Sequence, residues 1–300
     1  MKIAYLILAH NNPKQLHRLV KSLASSSSGI FVHIDRKSDI KNFSEVMNES
    51  VSFSRERVAV YWRDFSIVEA TLILLREAVA HIDQFDYYVV LSGNDYPLRS
   101  QAYIINFFNK NKGREFMNII QMPCKRAGKP LFRLTTYKPR PGDSKLSKTI
   151  CKIPSRLLSA LSYRRDYQLY FQGLQPYAGS AWWALSREAC QHILHFIEEE
   201  KQLIDFYKNT INPDESLFQT ILGNSPYQSR IVRNVTYTDW SGGRAHPINL
   251  TERHLEFFQK KPIILEDIYG KGELLFARKF SNDAEKLIRK LDQIIRESED

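Results

Sequence analysis

Along the first third of the chain, apolar residues switch between two periods. Continuous apolar runs at 3–9, 30–34, 57–61, 86–92 and 116–121 predict strands buried on both faces, and segments of helical period at 13–25, 66–82 and 100–110 lie between them. The segment 66–82 is the clearest helix. Ile67, Ala70, Leu74, Ala78 and Ile82 recur at three- and four-residue steps, and Ser66 with Glu69 three residues on has the pattern of a capping box. Beyond residue 165 the pattern resumes with a strand in 180–185, helices over 187–199 and 213–222, and a strand over 231–237. A last helix over 283–297 gathers Leu287, Ile288, Leu291, Ile294 and Ile295 on one face, which must pack on the body. Strands alternating with helices predict one α/β domain on a mostly parallel sheet flanked by helices.

Composition narrows this picture. With 43% hydrophobic residues in 300, the chain has enough apolar material for a large core, so disorder is excluded. The apolar start is short and runs into His10-Asn11-Asn12-Pro13 instead of a cleavage site, which makes it a first buried strand, not a signal peptide. No segment approaches the roughly 20 apolar residues of a membrane span, so the expectation is a soluble or peripheral protein. Cys124, Cys151 and Cys190 are odd in number and widely spaced, which argues against a disulfide framework or structural zinc and for a reducing cytoplasm.

The formal charge of +10 is local. Residues 123–165 hold twelve basic residues against the single acid Asp143, a surplus of eleven, and the rest is nearly neutral. The chain is therefore read as one domain in which residues 123–165 form a basic insertion or lid between 1–122 and 166–300. Within the insertion, Ile153, Leu157, Leu158 and Leu161 share a helical face ringed by Lys152, Arg156, Arg164 and Arg165. Such a helix suits an anionic membrane surface carrying a lipid-linked glycan. It equally suits a helix that buries its leucines, or a field that steers an acidic acceptor. A nucleic-acid-binding surface on an inert α/β body, or a non-catalytic glycan-binding protein, is the alternative reading. No helix-turn-helix, zinc or ribonucleoprotein motif supports the former, so no nucleic acid is expected.

Five segments carry a family resemblance. They are Ala4-Tyr5-Leu6-Ile7-Leu8-Ala9-His10, Phe31-Val32-His33-Ile34-Asp35-Arg36-Lys37-Ser38, Leu91-Ser92-Gly93-Asn94-Asp95-Tyr96-Pro97-Leu98, Gly179-Ser180-Ala181-Trp182-Trp183-Ala184-Leu185-Ser186-Arg187, and Pro213-Asp214-Glu215 followed by Phe276-Ala277-Arg278-Lys279-Phe280. In order and spacing this resembles the core-2/I-branching N-acetylglucosaminyltransferase and peptide O-xylosyltransferase family, glycosyltransferase family 14. The resemblance implies a GT-A fold and an inverting reaction. It also implies a UDP-sugar donor, UDP-N-acetylglucosamine or UDP-xylose, and a glycan or glycoconjugate hydroxyl as acceptor. Without the animal members' membrane anchor and disulfide cysteines, the chain looks like a bacterial relative that builds surface polysaccharide from the cytoplasm or the inner face of the membrane.

Inverting transfer needs a base for the attacking hydroxyl and positive charge for the departing diphosphate. The sequence has no Asp-x-Asp motif, and Asp95 alone at a strand end is a poor cage for a divalent ion, so no metal or other cofactor is expected. The resemblance implies Arg244 and Lys279 for the diphosphate; spacing alone also fits Lys279 as a solvated strand end. Asn212-Pro213-Asp214-Glu215 reads by itself as a helix start with Asn as cap, and the resemblance makes Glu215 the general base. It likewise implies Ala9, Asp35 and Trp62 for uracil and ribose, where Asp35 alone would pass for a turn residue and Trp62 for a core aromatic. Asp95 is expected near the donor sugar. Trp240, Ser180 and Trp182 are expected against the acceptor, and one of the adjacent Trp182 and Trp183 should be core, because neighbours in a strand face opposite ways.

Overall fold

The computed structural model of the protein describes residues 1–47, 51–140, 164–243 and 246–297. Seven strands form the main sheet: β1 (Ile3–Ala9), β2 (Ser28–Ile34), β3 (Val51–Phe53), β4 (Tyr87–Ser92), β6 (Glu115–Gln121), β7 (Tyr177–Ser186) and β8 (Ile231–Val232). Their order is β3-β2-β1-β4-β7-β6-β8, parallel throughout except where β7 runs against β4 and β6. A smaller sheet sets β12 (Phe276–Arg278) between β5 (Asp95–Pro97) and β9 (Thr236–Thr238), and β10 (Ile264–Asp267) with β11 (Gly270–Glu273) makes a separate hairpin. This is the GT-A-type α/β architecture the resemblance implies.

The continuous apolar character of β1 follows from its two neighbours. Ile3, Tyr5 and Ile7 pack with the helices Pro13–Leu23 and Gln101–Lys110, while Ala4 and Leu6 pack on the opposite face with Ser66–Ala80 and Arg187–Glu199. Pro13 opens its helix where no backbone donor is needed, and Leu16, Leu19, Val20 and Leu23 turn to the sheet at helical spacing. At the other end, Glu285–Arg296 buries Leu287, Ile288 and Leu291 against Tyr96, Leu98 and Phe258, as its one-sided pattern requires.

Several expected elements take another form. Residues 57–61 make no strand: the Val58 and Val60 amides donate to the side chains of His33 (3.0 Å) and Asp35 (3.2 Å), and Arg57 donates to the carbonyls of Ile34, Asp35 and Ser38. Side chains have taken the backbone groups a ladder would use, and the third strand is Val51–Phe53. The capping box at Ser66 is absent. Ser66 Oγ accepts from the Tyr61 amide, and Glu69 is drawn to Arg140 at 2.7 Å. Ile82 lies past the helix end and is 91% exposed. The helix expected over 213–222 is a 3₁₀ turn, Pro213–Glu215, followed by Leu217–Gly223. Asn212 does not cap it, because its backbone is left-handed (φ 54°) and its Oδ1 accepts from Arg63 at 2.6 Å. The segment expected as a strand over 231–237 forms β8 and β9, and a helix absent from the pattern reading spans Lys201–Lys208.

The described flanks of the basic segment belong to the body. Lys138 meets Asp64 at 3.1 Å with both side chains nearly inaccessible, and Arg165 donates to Phe206 O (2.9 Å) and lies 3.9 Å over the Phe206 ring. The amphipathic stretch with Ile153, Leu157, Leu158 and Leu161, like Cys151, lies outside the described residues. Among the described residues no helix is long and apolar enough to cross a membrane.

Candidate active site

Parallel strands direct their carboxyl ends to one side of the sheet, where open α/β folds bind ligands. Here the Asp35 amide donates to Ala9 O (2.8 Å) and the Gly93 amide to Leu8 O (2.9 Å), so the ends of β1, β2 and β4 are stitched together. A side chain at Gly93 would come within 2.9 Å of Ala9 Cβ, which explains a glycine there. Above these ends opens a cavity of about 1120 Å³. That exceeds the roughly 300–1,000 Å³ that suits one drug-sized ligand and leaves room for two substrates side by side.

Ala9, Asp35, Trp62, Ser180, Trp182, Glu215, Trp240 and Lys279 all line this one cavity, although they come from seven separate places in the chain. Arg244 lies outside the described residues. Asp95 is the departure. It is wholly buried beneath the cavity; Ser92 donates to it through its amide (2.9 Å) and hydroxyl (2.5 Å), and Arg278 Nε stands 3.3 Å from Oδ1. Its carboxylate is engaged by Ser92 and Arg278, so the residue expected near the donor sugar lies behind the lining residues Ser92 and Arg278. Arg278 in turn lies 3.8 Å under the Trp182 ring. Trp183 is core, packed on Phe218, as strand alternation requires.

Trp62 and Trp240 keep 57% and 56% of their surface exposed, unusual for large aromatics that line a cavity, and Trp62 packs 4.7 Å from His246. Asp35 accepts from the Lys37 amide (2.9 Å) and Nζ (2.7 Å). Lys279 makes no side-chain hydrogen bond or ion pair among the described residues. Burial, followed by the adjacent Arg278, lowers its pKa.

Glu215 is held by two residues whose roles no sequence pattern announces. Lys129 Nζ (2.5 Å) and Arg133 Nη1 (2.7 Å) both donate to its Oε2, and Lys129 also donates to Gly179 O (2.5 Å). The tight turn Cys124–Lys129, closed by two reciprocal backbone bonds of 2.9 Å, and the helical turn Phe132–Thr135 deliver them. Burial pushes the Glu215 carboxyl up, but the charges of Lys129 and Arg133 outweigh it and hold it well below the ordinary carboxylate range. No hydrogen bond reaches Oε1 among the described residues.

The pKa of the Asp214 carboxyl is raised by burial and by the neighbouring charge of Glu215, and among the described residues its Oδ1 finds no hydrogen-bond partner. A raised folded-state pKa means the folded chain keeps this proton longer than the unfolded one. The stabilisation is full below the unfolded value near pH 4 and is lost as pH rises through the folded value. The Tm of the parent should therefore fall relative to that of Asp214→Asn from about pH 4 upward; parallel Tm curves would contradict the assignment.

A mostly parallel sheet flanked by helices, with its cavity over the strand ends, is the arrangement of a GT-A-type α/β protein. The chain belongs to the Core-2/I-Branching enzyme family, glycosyltransferase family 14, which matches residues 3–260. Membership agrees with the five segments. Among its relatives, "Xylosyltransferase oxt" of Drosophila melanogaster is 24% identical over 255 residues, covering 80% of this chain and 26% of the relative. "Xylosyltransferase 2" of Mus musculus is 25% identical over 250 residues, covering 80% and 27%. The chain thus aligns with about a quarter of the length of these relatives. Among solved structures, the apo form of mouse Xyloside xylosyltransferase 1 covers 91% of this chain and 97% of its own at 13% identity and a TM-score of 0.36.

Proposed function

We propose that the protein is an inverting glycosyltransferase that moves a sugar, N-acetylglucosamine or xylose, from its UDP conjugate to a hydroxyl of a glycan or glycoconjugate without a metal ion. The observation that carries this reading is that Glu215 and Lys279 line one cavity together with the half-exposed Trp62 and Trp240. Trp62 offers a face for uracil, with Asp35 and the Ala9 backbone beside it for the ribose and base. Lys279, with Arg244, meets the diphosphate. The acceptor oxygen forms its bond to the anomeric carbon as the bond from that carbon to the diphosphate breaks. Its proton passes to Glu215, and UDP leaves with the electron pair. Side-chain cations supply the charge an ion would otherwise supply; Lys279 suits this because among the described residues its ammonium makes no ion pair and the residue is half-buried in the cavity wall, where its field is screened less than in open water. Trp240, Ser180 and Trp182 face the acceptor.

A thermal-shift screen in EDTA tests the donor. At about a hundred times Kd, UDP or its sugar conjugates should stabilise the fold by about 2.7 kcal/mol, a Tm rise of about 5 °C, whether or not chelator is present. Stabilisation by GDP- or CMP-sugars alone, or only with added manganese, would overturn the assignment.

A further inference from the structure

The hairpin β10–β11 belongs to neither sheet, yet Leu265, Asp267, Ile268 and Tyr269 all line the cavity. Its register pairs Asp267 with Gly270, which leaves Ile268 and Tyr269 as the two residues of the turn. Such a turn would ordinarily project into solvent. Here Asp267 Oδ1 accepts from the Tyr269 amide (2.9 Å), and Oδ2 accepts from the buried Arg233 (2.8 Å). Gly272 lies against the Arg233 side chain, where a Cβ would come within 3.1 Å, and Tyr103 donates to Glu273 at 2.6 Å. The tip is therefore braced from below and at its far strand. Tyr269 is half-buried, and burial together with the charge of Glu215 pushes its phenol up to about 12. The ring thus lies within electrostatic reach of the proton acceptor and stays neutral at every working pH.

Resting on the glycosyltransferase reading, we propose that Tyr269 is a specificity-determining residue for the acceptor: its ring packs on the apolar face of a pyranose and presents that sugar's hydroxyl to Glu215. A neutral aromatic ring in the same cavity wall as a carboxylate offers a pyranose an apolar face to pack on while a hydroxyl reaches the carboxylate, whereas a seryl or lipid hydroxyl would gain little from it. The acceptor group is therefore a sugar, and Tyr269 adds a second aromatic wall to Trp240.

The test measures UDP release from UDP-N-acetylglucosamine and UDP-xylose with a panel of methyl β-D-pyranosides and with a Gly-Ser-Gly peptide as acceptors, alongside calorimetric UDP affinity. The expected result is that the parent uses a pyranoside. Tyr269→Ala should raise KM for that pyranoside about tenfold with UDP affinity held, and Tyr269→Phe should restore KM to within about twofold, because the ring and not the hydroxyl does the packing. An unchanged KM in Tyr269→Ala, use of the peptide in preference to every pyranoside, or UDP binding with no pyranoside accepted would each overturn the proposal. A parent that binds no UDP would instead remove the glycosyltransferase reading, and the proposal with it.

Discussion

Replacing Glu215 by Gln is expected to lower kcat for sugar transfer by about a hundredfold or more while UDP affinity stays close to that of the parent. The loss is that expected on removing a positioned general base. It should fall on kcat because, in the proposed mechanism, the carboxylate acts on the acceptor proton as the new bond forms, and not on the nucleotide. A carboxyl held low by Lys129 and Arg133 is a weak base towards a resting hydroxyl. It suffices because an attacking oxygen becomes acidic as it bonds to the anomeric carbon. The same two cations keep Glu215 ionised at every working pH, so it never needs to lose a proton before turnover. Full transfer by Glu215→Gln would move the proton acceptor to another group. A variant that loses UDP binding together with turnover would point to collapse of the Lys129 and Arg133 cluster instead.

Asp95→Ala should be among the most damaging single changes to the fold, at about 3–5 kcal/mol, which lowers Tm by about 10 °C. Asp95 is inaccessible, and Arg278 is buried between it and Trp182. Removing the carboxylate leaves a guanidinium in an apolar slot with no counter-charge, and it strips Ser92 of the acceptor for both its amide and its hydroxyl. Breaking one side of such a pair costs more than the pair contributes, because the surviving charge stays desolvated. Asp95→Asn, which keeps an acceptor for Ser92, should cost less. A Tm within a degree of the parent for Asp95→Ala would mean that the pair is solvated. Because Lys279 directly follows Arg278 at the end of β12, this change should also weaken UDP binding without touching the ligand.

Legibility in the sequence followed locality. The strands β1, β2, β4 and β6 and the helices 66–80, 187–199 and 285–296 were readable because burial on a sheet or a helix face is written into neighbouring positions. Where a side chain took over backbone groups, the local reading failed. His33 and Asp35 hold the amides of Val58 and Val60, so a run that looks like a strand is a loop. Glu69, placed as half of a capping box, answers Arg140, 71 residues away. The basic surplus drew attention to residues 123–165, but composition treats those charges as alike. Three of them are inward and specific: Lys129 and Arg133 on Glu215, and Lys138 on Asp64.

The amino-acid order alone determined the α/β class, the positions of β1, β2, β4 and β6 and the family, since periodicity and motif spacing are properties of the chain itself. It also singled out eight residues that prove to share one cavity, through resemblance and not through any signal that joins them. Only the tertiary structure decided how that cavity is charged. It gave Glu215 two cations from 82 and 86 residues away, buried Asp95 against Arg278, and folded the hairpin tip with Tyr269 into the wall of the same cavity. Electrostatic strength depends on distance and on the water excluded between groups, and neither quantity exists until the chain has closed on itself.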